Sequence, residues 1–156
     1  MNYYNEFDPK AAAWLRELIE WKLIPKGIVD ERSICDIKPS NLSDFTQCHF
    51  FAGIGGWSLA LQLAGWPSTR PVWTGSCPCQ PFSSAGQQKG TSDERHLWPV
   101  FFNLIRQCRP DHVFGEQVES AIAQSIQGRV GLLRGYGNAI VPEVAAEFIR
   151  AYLTTP

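Results

Sequence analysis

The sequence predicts an α/β fold built on a parallel sheet. Short apolar runs alternate with helical stretches along the chain, which is the pattern of strands joined by crossover helices. One of these runs leads into a glycine-rich turn that opens a helix. At 156 residues, of which 44% are apolar and 19% charged, the chain has room for one hydrophobic core. No repeat or low-complexity linker interrupts it, so we expect a single domain over residues 1–156.

Five strands and four helices are predicted. The strands are expected at 2–6, 33–37, 46–53, 71–76 and 112–118. The helices are expected at 9–22, 57–65, 93–108 and 141–153. Asp8 followed by Pro9 is a typical N-cap with proline at the first helical position, so it starts the first helix. Pro99 is a weak point near the first turns of the third helix. The sequence of residues 119–136 predicts no more than a short helix and a loop.

Composition and charge exclude several classes of protein. The net charge of −1 gives no overall basic field that would indicate nucleic acid. No apolar run approaches the roughly 18 residues of a membrane span, and the first residues lack the pattern of a secretory signal. We therefore expect a cytoplasmic protein without a membrane partner. A reducing compartment argues against structural disulfides among the five cysteines.

The segment SCPCQPF, residues 76–82, carries Cys77 and Cys79. Cysteines separated by one residue do not easily bridge to each other, which leaves a metal site, a buried thiol or a nucleophile. A zinc site would require a second ligand pair at short spacing, and no such pair is found, so no metal is expected. Burial as inert thiols accounts for the scattered cysteines, namely Cys35, Cys48 and Cys108.

The turn GIGG, residues 53–56, follows a predicted strand and precedes a helix. This arrangement brings backbone N–H groups and a helix N-terminus close to a ligand, although a plain tight turn is an alternative explanation. A nucleotide-like ligand also requires a carboxylate at the end of the next strand, to hold the ribose hydroxyls. From Phe45 to Ser92 the chain contains no Asp or Glu. Either the site binds no ribose, or its carboxylate comes from elsewhere in the chain.

Four motifs together resemble the DNA (cytosine-5) methyltransferases. FAGIGG (51–56) resembles the first motif of that family, and CPCQPFSSAG (77–86) resembles its catalytic Pro-Cys-Gln loop. GEQV (115–118) resembles the Glu-Asn-Val motif, with Gln117 in place of Asn, and GNAIVP (137–142) resembles the last motif. The resemblance implies a Rossmann-like sheet, S-adenosyl-L-methionine as the cofactor, and DNA methylation of the kind found in restriction–modification.

A permuted order of motifs explains the missing carboxylate. The segment 3–18 resembles the family's second motif, and SICDI (33–37) resembles its third. Residues 1–45 thus carry motifs that normally follow the glycine turn, while 46–118 carry the glycine turn, the cysteine loop and the glutamate motif, and 137–156 form the C-terminal helix. Permutation leaves the spatial order unchanged, so the resemblance implies strands in the family order three, two, one, four, five. In this chain that order is 33–37, 3–6, 46–53, 71–76 and 112–118.

The resemblance also implies site residues. Glu6 would hold the ribose, Phe7 would stack on the adenine, and Asp36 would accept a hydrogen bond from the adenine amino group. Cys79 is the implied nucleophile, which adds to C6 of a flipped cytosine, and Glu116 the implied donor to cytosine N3. The remaining implied cofactor contacts are Phe51, Gly53, Ile54, Gly55, Gly56, Trp57, Ile37, Pro78, Asn138 and Ala139. The implied DNA contacts are Gln80, Ser83, Lys89 and Arg95, and Cys77 is expected to be a packing residue.

The middle of the chain departs from the family pattern. Only 18 residues separate Val118 from Gly137, which leaves no room for a target-recognition domain or the family's arginine motif. Two functions stay open: a reduced or partner-dependent methyltransferase, and an S-adenosylmethionine- or DNA-binding module without turnover. Without further strands, 112–118 would be an open sheet edge. We expect that edge to be covered by association, in a homodimer or with a separate chain that supplies the missing strands and target recognition.

Overall fold

The computed structural model describes residues 1–77, 97–116 and 140–155. Within these ranges, five strands form one sheet in which every neighbouring pair is parallel. The strands are β1 (Asn2–Asn5), β2 (Gly27–Asp30), β3 (Gln47–Phe50), β4 (Val72–Gly75) and β5 (Val113–Gly115). The helices are α1 (Pro9–Glu20), α2 (Gly56–Leu63), α3 (Trp98–Cys108) and α4 (Pro142–Thr154). The sheet order is β2-β1-β3-β4-β5, which confirms the predicted parallel α/β architecture.

Alternate side chains of the strands face two helical layers. Tyr3, Cys48 and Trp73 are partners in the ladder, and they lie in a core beneath α3 and the two short 3₁₀ turns that follow β2. On the opposite face, Tyr4 packs against Leu15 of α1. The same face carries a second core, in which β4 and β5 meet α2 and α4. The sheet therefore lies between two layers of helices.

The predicted start of the first helix agrees with the structure. The carboxylate of Asp8 accepts hydrogen bonds from the backbone N–H groups of Lys10 and Ala11, at 2.8 and 3.0 Å, and Pro9 is the first residue of α1. Pro99 lies in the first turn of α3, where a missing N–H costs no intrahelical bond. The third helix was predicted from residue 93; the structure describes it from Trp98 to Cys108, and residues 93–96 lie outside the described ranges.

The prediction of a strand at 33–37 was wrong. Ile34–Asp36 form a 3₁₀ turn, in which the hydroxyl of Ser33 accepts from the N–H of Cys35. The edge strand is instead β2, at Gly27–Asp30, which pairs with β1. Asn5 explains where β2 ends, because its side-chain amide donates to the carbonyls of both Asp30 and Arg32 and turns the chain away from the sheet.

Glycine at position 27 is what allows β2 to approach β1. A Cβ at this position would lie 2.5 Å from the carbonyl oxygen of Asn2 and 2.6 Å from the ring of Tyr4. Such distances are well inside van der Waals contact, so only glycine fits. The run GIVD offers two β-branched residues as its sole strand signal, and the sequence alone did not reveal it.

A row of buried polar side chains crosses the middle of the sheet. Nδ1 of His49 is 2.8 Å from Oγ1 of Thr74 on β4, and Nε2 is 3.5 Å from the amide nitrogen of Asn2 on β1. The ring of Tyr4 stacks on the imidazole at 5.0 Å, and its hydroxyl lies 3.1 Å from the hydroxyl of Ser58 on α2. These groups satisfy one another, which is the condition for burying polar atoms at low cost.

The outer strand β5 pairs with β4 within the described ranges, and its other edge is open there. Residues 117–139, which follow it, lie outside those ranges. The predicted association at this edge therefore stays a prediction. Across the described parts of the chain, none of the helices is long and apolar enough to cross a membrane.

The buried His49 predicts a loss of stability in mild acid. Burial lowers the pKa of His49 from its usual value near 6.5 to about 3, so the imidazole is neutral in the folded protein. The unfolded chain takes up a proton below about pH 6.5, and the folded chain does so only near pH 3. The free energy of unfolding should therefore fall as pH drops from 6.5 to 4.5, by up to about 1.4 kcal/mol per pH unit.

Urea titrations at half-unit pH steps measure this slope. His49→Gln should flatten it between pH 6.5 and 4.5, whatever its effect on absolute stability. Asp30→Asn is the control, because hydrogen bonds from Arg32 outweigh burial and lower the pKa of Asp30, so its contribution is lost only at more acidic pH. A flat wild-type profile over this window would contradict the assignment.

Candidate functional site

The carboxyl ends of β1 and β3 are where this strand order predicts a ligand crevice. The chain runs outward from β1 to β2 on one side and from β3 through β4 to β5 on the other. In open parallel sheets, ligands bind outside the strand ends at such a reversal of direction. The predicted site residues Glu6 and Phe7 follow β1, and the glycine turn follows β3. The fold therefore brings together two predicted motifs that lie more than 40 residues apart in the chain, as the 47 positions between Glu6 and Gly53 show.

Glu6 joins the two motifs directly. Its Oε2 accepts a 2.7 Å hydrogen bond from the backbone N–H of Gly53, although the two residues are 47 positions apart in the chain. Its Oε1 accepts from the N–H of Asp8 at 2.9 Å, just before α1 begins. The side chain is half-buried, and each of its carboxylate oxygens has a second lone pair that can accept a further hydrogen bond. A carboxylate held in this way is positioned to accept hydrogen bonds from the hydroxyl groups of a ligand.

The backbone at and just before the glycine turn adopts left-handed conformations. Phe51, Gly53 and Gly55 have φ angles of 50°, 56° and 82°, in the left-handed region that favours glycine. The turn is tied down by bonds from Ala52 N–H to the carbonyl of Asn5 and from Gly55 N–H to the carbonyl of Ala52, at 3.0 and 2.9 Å. Gly55 is the N-cap of α2, so the first-turn N–H groups of that helix lie beside the turn.

Side chains around the turn divide into exposed and buried groups. Phe7 is 72% exposed and Ile54 is 54% exposed, so both offer apolar surface that a ligand would cover. Phe51 is half-buried and packs edge-on against Phe101 of α3 at 5.9 Å. Trp57 is buried, and its indole Nε1 donates to the hydroxyl of Ser76 at 3.0 Å. The structure thus places Phe7 and Ile54 where a ligand could contact them, and Trp57 inside the fold.

The ends of β4 and β5 lie side by side next to the crevice. Gly75 pairs with Gly115, and the backbone N–H of Glu116 donates to the carbonyl of Gly75 at 3.1 Å. A Cβ on Gly75 would lie 2.7 Å from the ring of Phe101, so glycine is required there for α3 to pack. The carboxylate of Glu116 is exposed at this end of the sheet. β4 continues through Ser76 to Cys77, the last described residue before the segment that carries Cys79.

The start of α4 packs onto the glycine turn. A Cβ on Gly56 would lie 2.6 Å from Cγ2 of Ile140 and 3.1 Å from its carbonyl oxygen. Glycine at position 56 is therefore needed for the chain just before α4 to pack against the turn. Ile140 is the residue that follows Asn138 and Ala139, two of the predicted cofactor contacts.

Two predicted cofactor contacts, Asp36 and Ile37, do not lie at the end of a strand. Asp36 is the last residue of the 3₁₀ turn and is exposed, while Ile37 is buried in the core beneath α3. The acid that ends the actual edge strand is Asp30, which sequence reasoning missed. Its carboxylate accepts from the hydroxyl of Tyr3 at 2.8 Å and from the guanidinium of Arg32. The signal for it was the short run GIVD, which ends in an acid.

The cysteines differ in environment. Cys48 is fully buried, and burial raises the pKa of its thiol to about 12, which makes it unreactive. Burial also raises the pKa of the half-buried Cys108. Cys35 is exposed on the 3₁₀ turn, so the expectation that it is a buried thiol was wrong. Cys77 is buried, as expected of a packing residue.

The other predicted site residues lie outside the described ranges, and their assignments stay predictions. They are Pro78, Cys79, Gln80, Ser83, Lys89, Arg95, Asn138 and Ala139.

Comparisons with known proteins identify relatives of this chain. The family model described as C-5 cytosine-specific DNA methylase matches residues 69–130, which include β4, α3 and β5. The chain is 30% identical over 115 residues to the type II methyltransferase M.NgoMIV of Neisseria gonorrhoeae, a match that covers 50% of this chain and 37% of that protein. It is 37% identical over 73 residues to the type II methyltransferase M.AplI of Arthrospira platensis, covering 47% of this chain and 19% of that protein. The chain thus spans well under half the length of these curated relatives. No solved structure matches it.

Proposed function

We propose that the chain, whose residues 69–130 match the C-5 cytosine-specific DNA methylase model, belongs to that family and transfers a methyl group from S-adenosyl-L-methionine to C5 of cytosine in DNA. The contact between Glu6 and Gly53 carries this proposal. It joins a carboxylate and a glycine turn at the reversal point of the sheet, next to the strand ends that lead to Cys79 and Glu116. The names of the type II relatives support DNA methylation of the restriction–modification kind.

The residues around the crevice fit S-adenosylmethionine. Glu6 has carboxylate oxygens at the end of β1, where ribose hydroxyls would be held, and Phe7 offers an exposed ring for a purine. The left-handed turn at Gly53 and Gly55 lies at the same point and leads into the N-terminus of α2. When bound, the cofactor supplies an electrophilic methyl group. The protein binds and orients it through these groups.

The target cytosine requires activation by the protein. The thiolate of Cys79 forms a bond to C6, and Glu116 donates a proton to N3, which relieves the charge that builds up on attack. Once C5 carries the transferred methyl group, a base removes the C5 proton, the bond between Cys79 and C6 breaks to release the thiolate, and N3 returns its proton to Glu116. Because C5 and C6 are hidden in the duplex, the base must first be flipped out, at a cost of a few kcal/mol.

Contacts to the DNA offset that cost. The segment of the sequence after β4 contains the proposed contacts Gln80, Ser83, Lys89 and Arg95. With two cations, its phosphate contacts give weak affinity that falls steeply with salt. We propose that activity is reduced for the chain alone and depends on association for full strength.

Exposed apolar groups beside β5 support that association. Val144, Phe148 and Tyr152 are spaced four residues apart on α4 and are 69%, 63% and 45% exposed. The rings of Phe148 and Tyr152 pack against the ring of Phe114 in β5, with centroid distances of 6.0 and 5.5 Å. This stripe therefore flanks the outer strand. A second copy of the chain, or a separate chain that supplies further strands, would cover this surface.

Cofactor binding should stabilise the fold. S-adenosylmethionine or its demethylated product, at about 100 times its Kd, should raise the free energy of unfolding by about 2.7 kcal/mol. Glu6→Ala should remove most of this shift, because it deletes the proposed ribose ligand. Thermal unfolding with and without either ligand measures the effect. If neither ligand shifts the intact protein, cofactor binding is refuted.

Covalent chemistry should depend on Cys79 alone. Duplex DNA containing 5-fluorocytosine should trap an adduct, since fluorine blocks the final elimination, and mass spectrometry would detect it. Cys79→Ala should abolish the adduct, while Cys77→Ala, the matched control, should retain it. An adduct that survives in Cys79→Ala would overturn the assignment of the nucleophile. A cofactor shift without any adduct would favour a binding module without turnover.

Association should depend on the stripe on α4. Light scattering over a concentration series should show a dimer of the purified chain, and Phe148→Glu should convert it to a monomer by placing a charge in the apolar surface. Phe102→Glu is the control, because Phe102 is similarly exposed but lies on α3, on the other face of the sheet. A wild-type monomer up to high micromolar concentration would exclude the homodimer.

A further inference from the structure

Trp57 occupies the second position of α2, directly after the glycine turn, yet its side chain points into the protein. The residue is 6% exposed, so nearly all of the indole is covered by other side chains. Ile54, three residues earlier in the turn, is 54% exposed. The indole therefore has little surface left for a ligand. Its contacts indicate what it does instead.

The indole touches two other elements whose ends carry the proposed chemistry. Its Nε1 donates a 3.0 Å hydrogen bond to the hydroxyl of Ser76, the residue after β4. Its ring lies nearly parallel to that of Phe114 in β5, with 6.3 Å between the ring centroids and 14° between the ring planes. Ser76 is three residues before Cys79, and Phe114 is two residues before Glu116. One side chain thus connects the glycine turn to both of these strand ends.

Ser76 is held by the sheet only weakly. Gly75 is the last residue of β4 and pairs with both neighbouring strands. Beyond it, the backbone N–H of Ser76 reaches the carbonyl of Phe50 at 3.4 Å, which is long for a hydrogen bond. The bond from Trp57 is shorter, and it acts on the side chain. Trp57 is a donor only, so loss of the serine hydroxyl would leave a buried N–H without an acceptor.

We propose that Trp57 is a positioning residue that fixes Ser76, and with it the start of the segment carrying Cys79, relative to the glycine turn. The geometric part of this inference stands on the contacts of Trp57, and its catalytic consequence rests on the proposed function. Trp57 supports the site from within the fold, in contrast to Glu6, which faces the ligand.

Labelling of native thiols tests the geometric part. Cys77 is buried next to Ser76, and Cys48 is buried in the middle of β3, so iodoacetamide reaches each one only through local or wider opening. Trp57→Phe removes the donor and keeps an aromatic ring, and Ser76→Ala removes the acceptor. Each should raise the ratio of Cys77 to Cys48 labelling about fivefold, the population change expected from the loss of one buried hydrogen bond. Combining them should add little further, because both remove the same bond.

Two further variants control for general destabilisation. Trp66 lies in the same core, and its indole donates to the carbonyl of Arg70 at 3.1 Å, at the amino end of β4. Trp66→Phe is the same chemical change away from the site and should leave the labelling ratio unchanged. Ser76→Thr keeps a hydroxyl and should restore the wild-type ratio. A ratio within a factor of two of wild type in both Trp57→Phe and Ser76→Ala would overturn the proposal.

The catalytic consequence is read from adduct formation on 5-fluorocytosine duplex DNA. Its rate should fall several-fold in Ser76→Ala and recover in Ser76→Thr, while the cofactor Kd of Ser76→Ala stays within a factor of two of wild type. A purely structural loss would lower cofactor binding and adduct formation together, and would contradict a positioning role. If the wild-type protein forms no adduct, the proposed function fails, and the labelling ratio still decides whether Trp57 positions Ser76.

Discussion

The parallel pairing of β1 with β3 is the constraint on which the site depends. Asn5 is the partner of Phe50 in this ladder, so the residues that follow the two strands emerge side by side. The bonds from Ala52 to Asn5 and from Gly53 to Glu6 continue the pairing past the ends of the strands. Without that ladder, the N-terminal strand would carry its carboxylate elsewhere, and the glycine turn would face no acid. Spatial order, and not chain order, therefore creates the crevice.

The polar row inside the sheet helps to set this pairing in register. Asn2 donates to Gln47, its direct partner on β3, and His49 bonds to Thr74, its direct partner on β4. A slip of one residue would move every side chain of a strand to the other face of the sheet. These buried polar groups would then have no hydrogen-bond partners. An apolar interior tolerates such slips better, because apolar contacts lack direction. The same burial keeps His49 neutral, so the stability of this arrangement depends on pH through this histidine.

Backbone strain and close packing are concentrated at the carboxyl ends of the strands. Phe51 adopts a left-handed conformation that is costly for a residue with a Cβ, and it is held by its packing against Phe101. Gly56 and Gly75 admit Ile140 and Phe101 at distances that no other residue would allow. These contacts converge on the glycine turn from α3, α4 and β4. A ligand in the crevice would thus meet a turn that the rest of the fold has already fixed.

The sequence by itself determined the local features of this protein. Asp8 with Pro9 started α1, the glycines at 53, 55 and 56 ended β3 and opened α2, and four strand runs were recognisable from their apolar residues. Motif resemblance supplied the order of those strands and the proposed roles of Glu6 and Phe7. These features depend on neighbours within a few residues, which a sequence displays directly.

Tertiary structure alone decided where distant segments meet. The edge strand lies at 27–30 because Gly27 fits against Asn2 and Tyr4, and because Asn5 turns the chain after Asp30. The run at 33–37 has a better strand pattern, but the cap from Ser33 folds it into a 3₁₀ turn. Likewise, nothing local marks Ser76 as the acceptor for Trp57, 19 residues away. Hydrogen bonds and close approaches between distant residues select among local preferences that differ by little free energy, and those contacts exist only once the chain has folded.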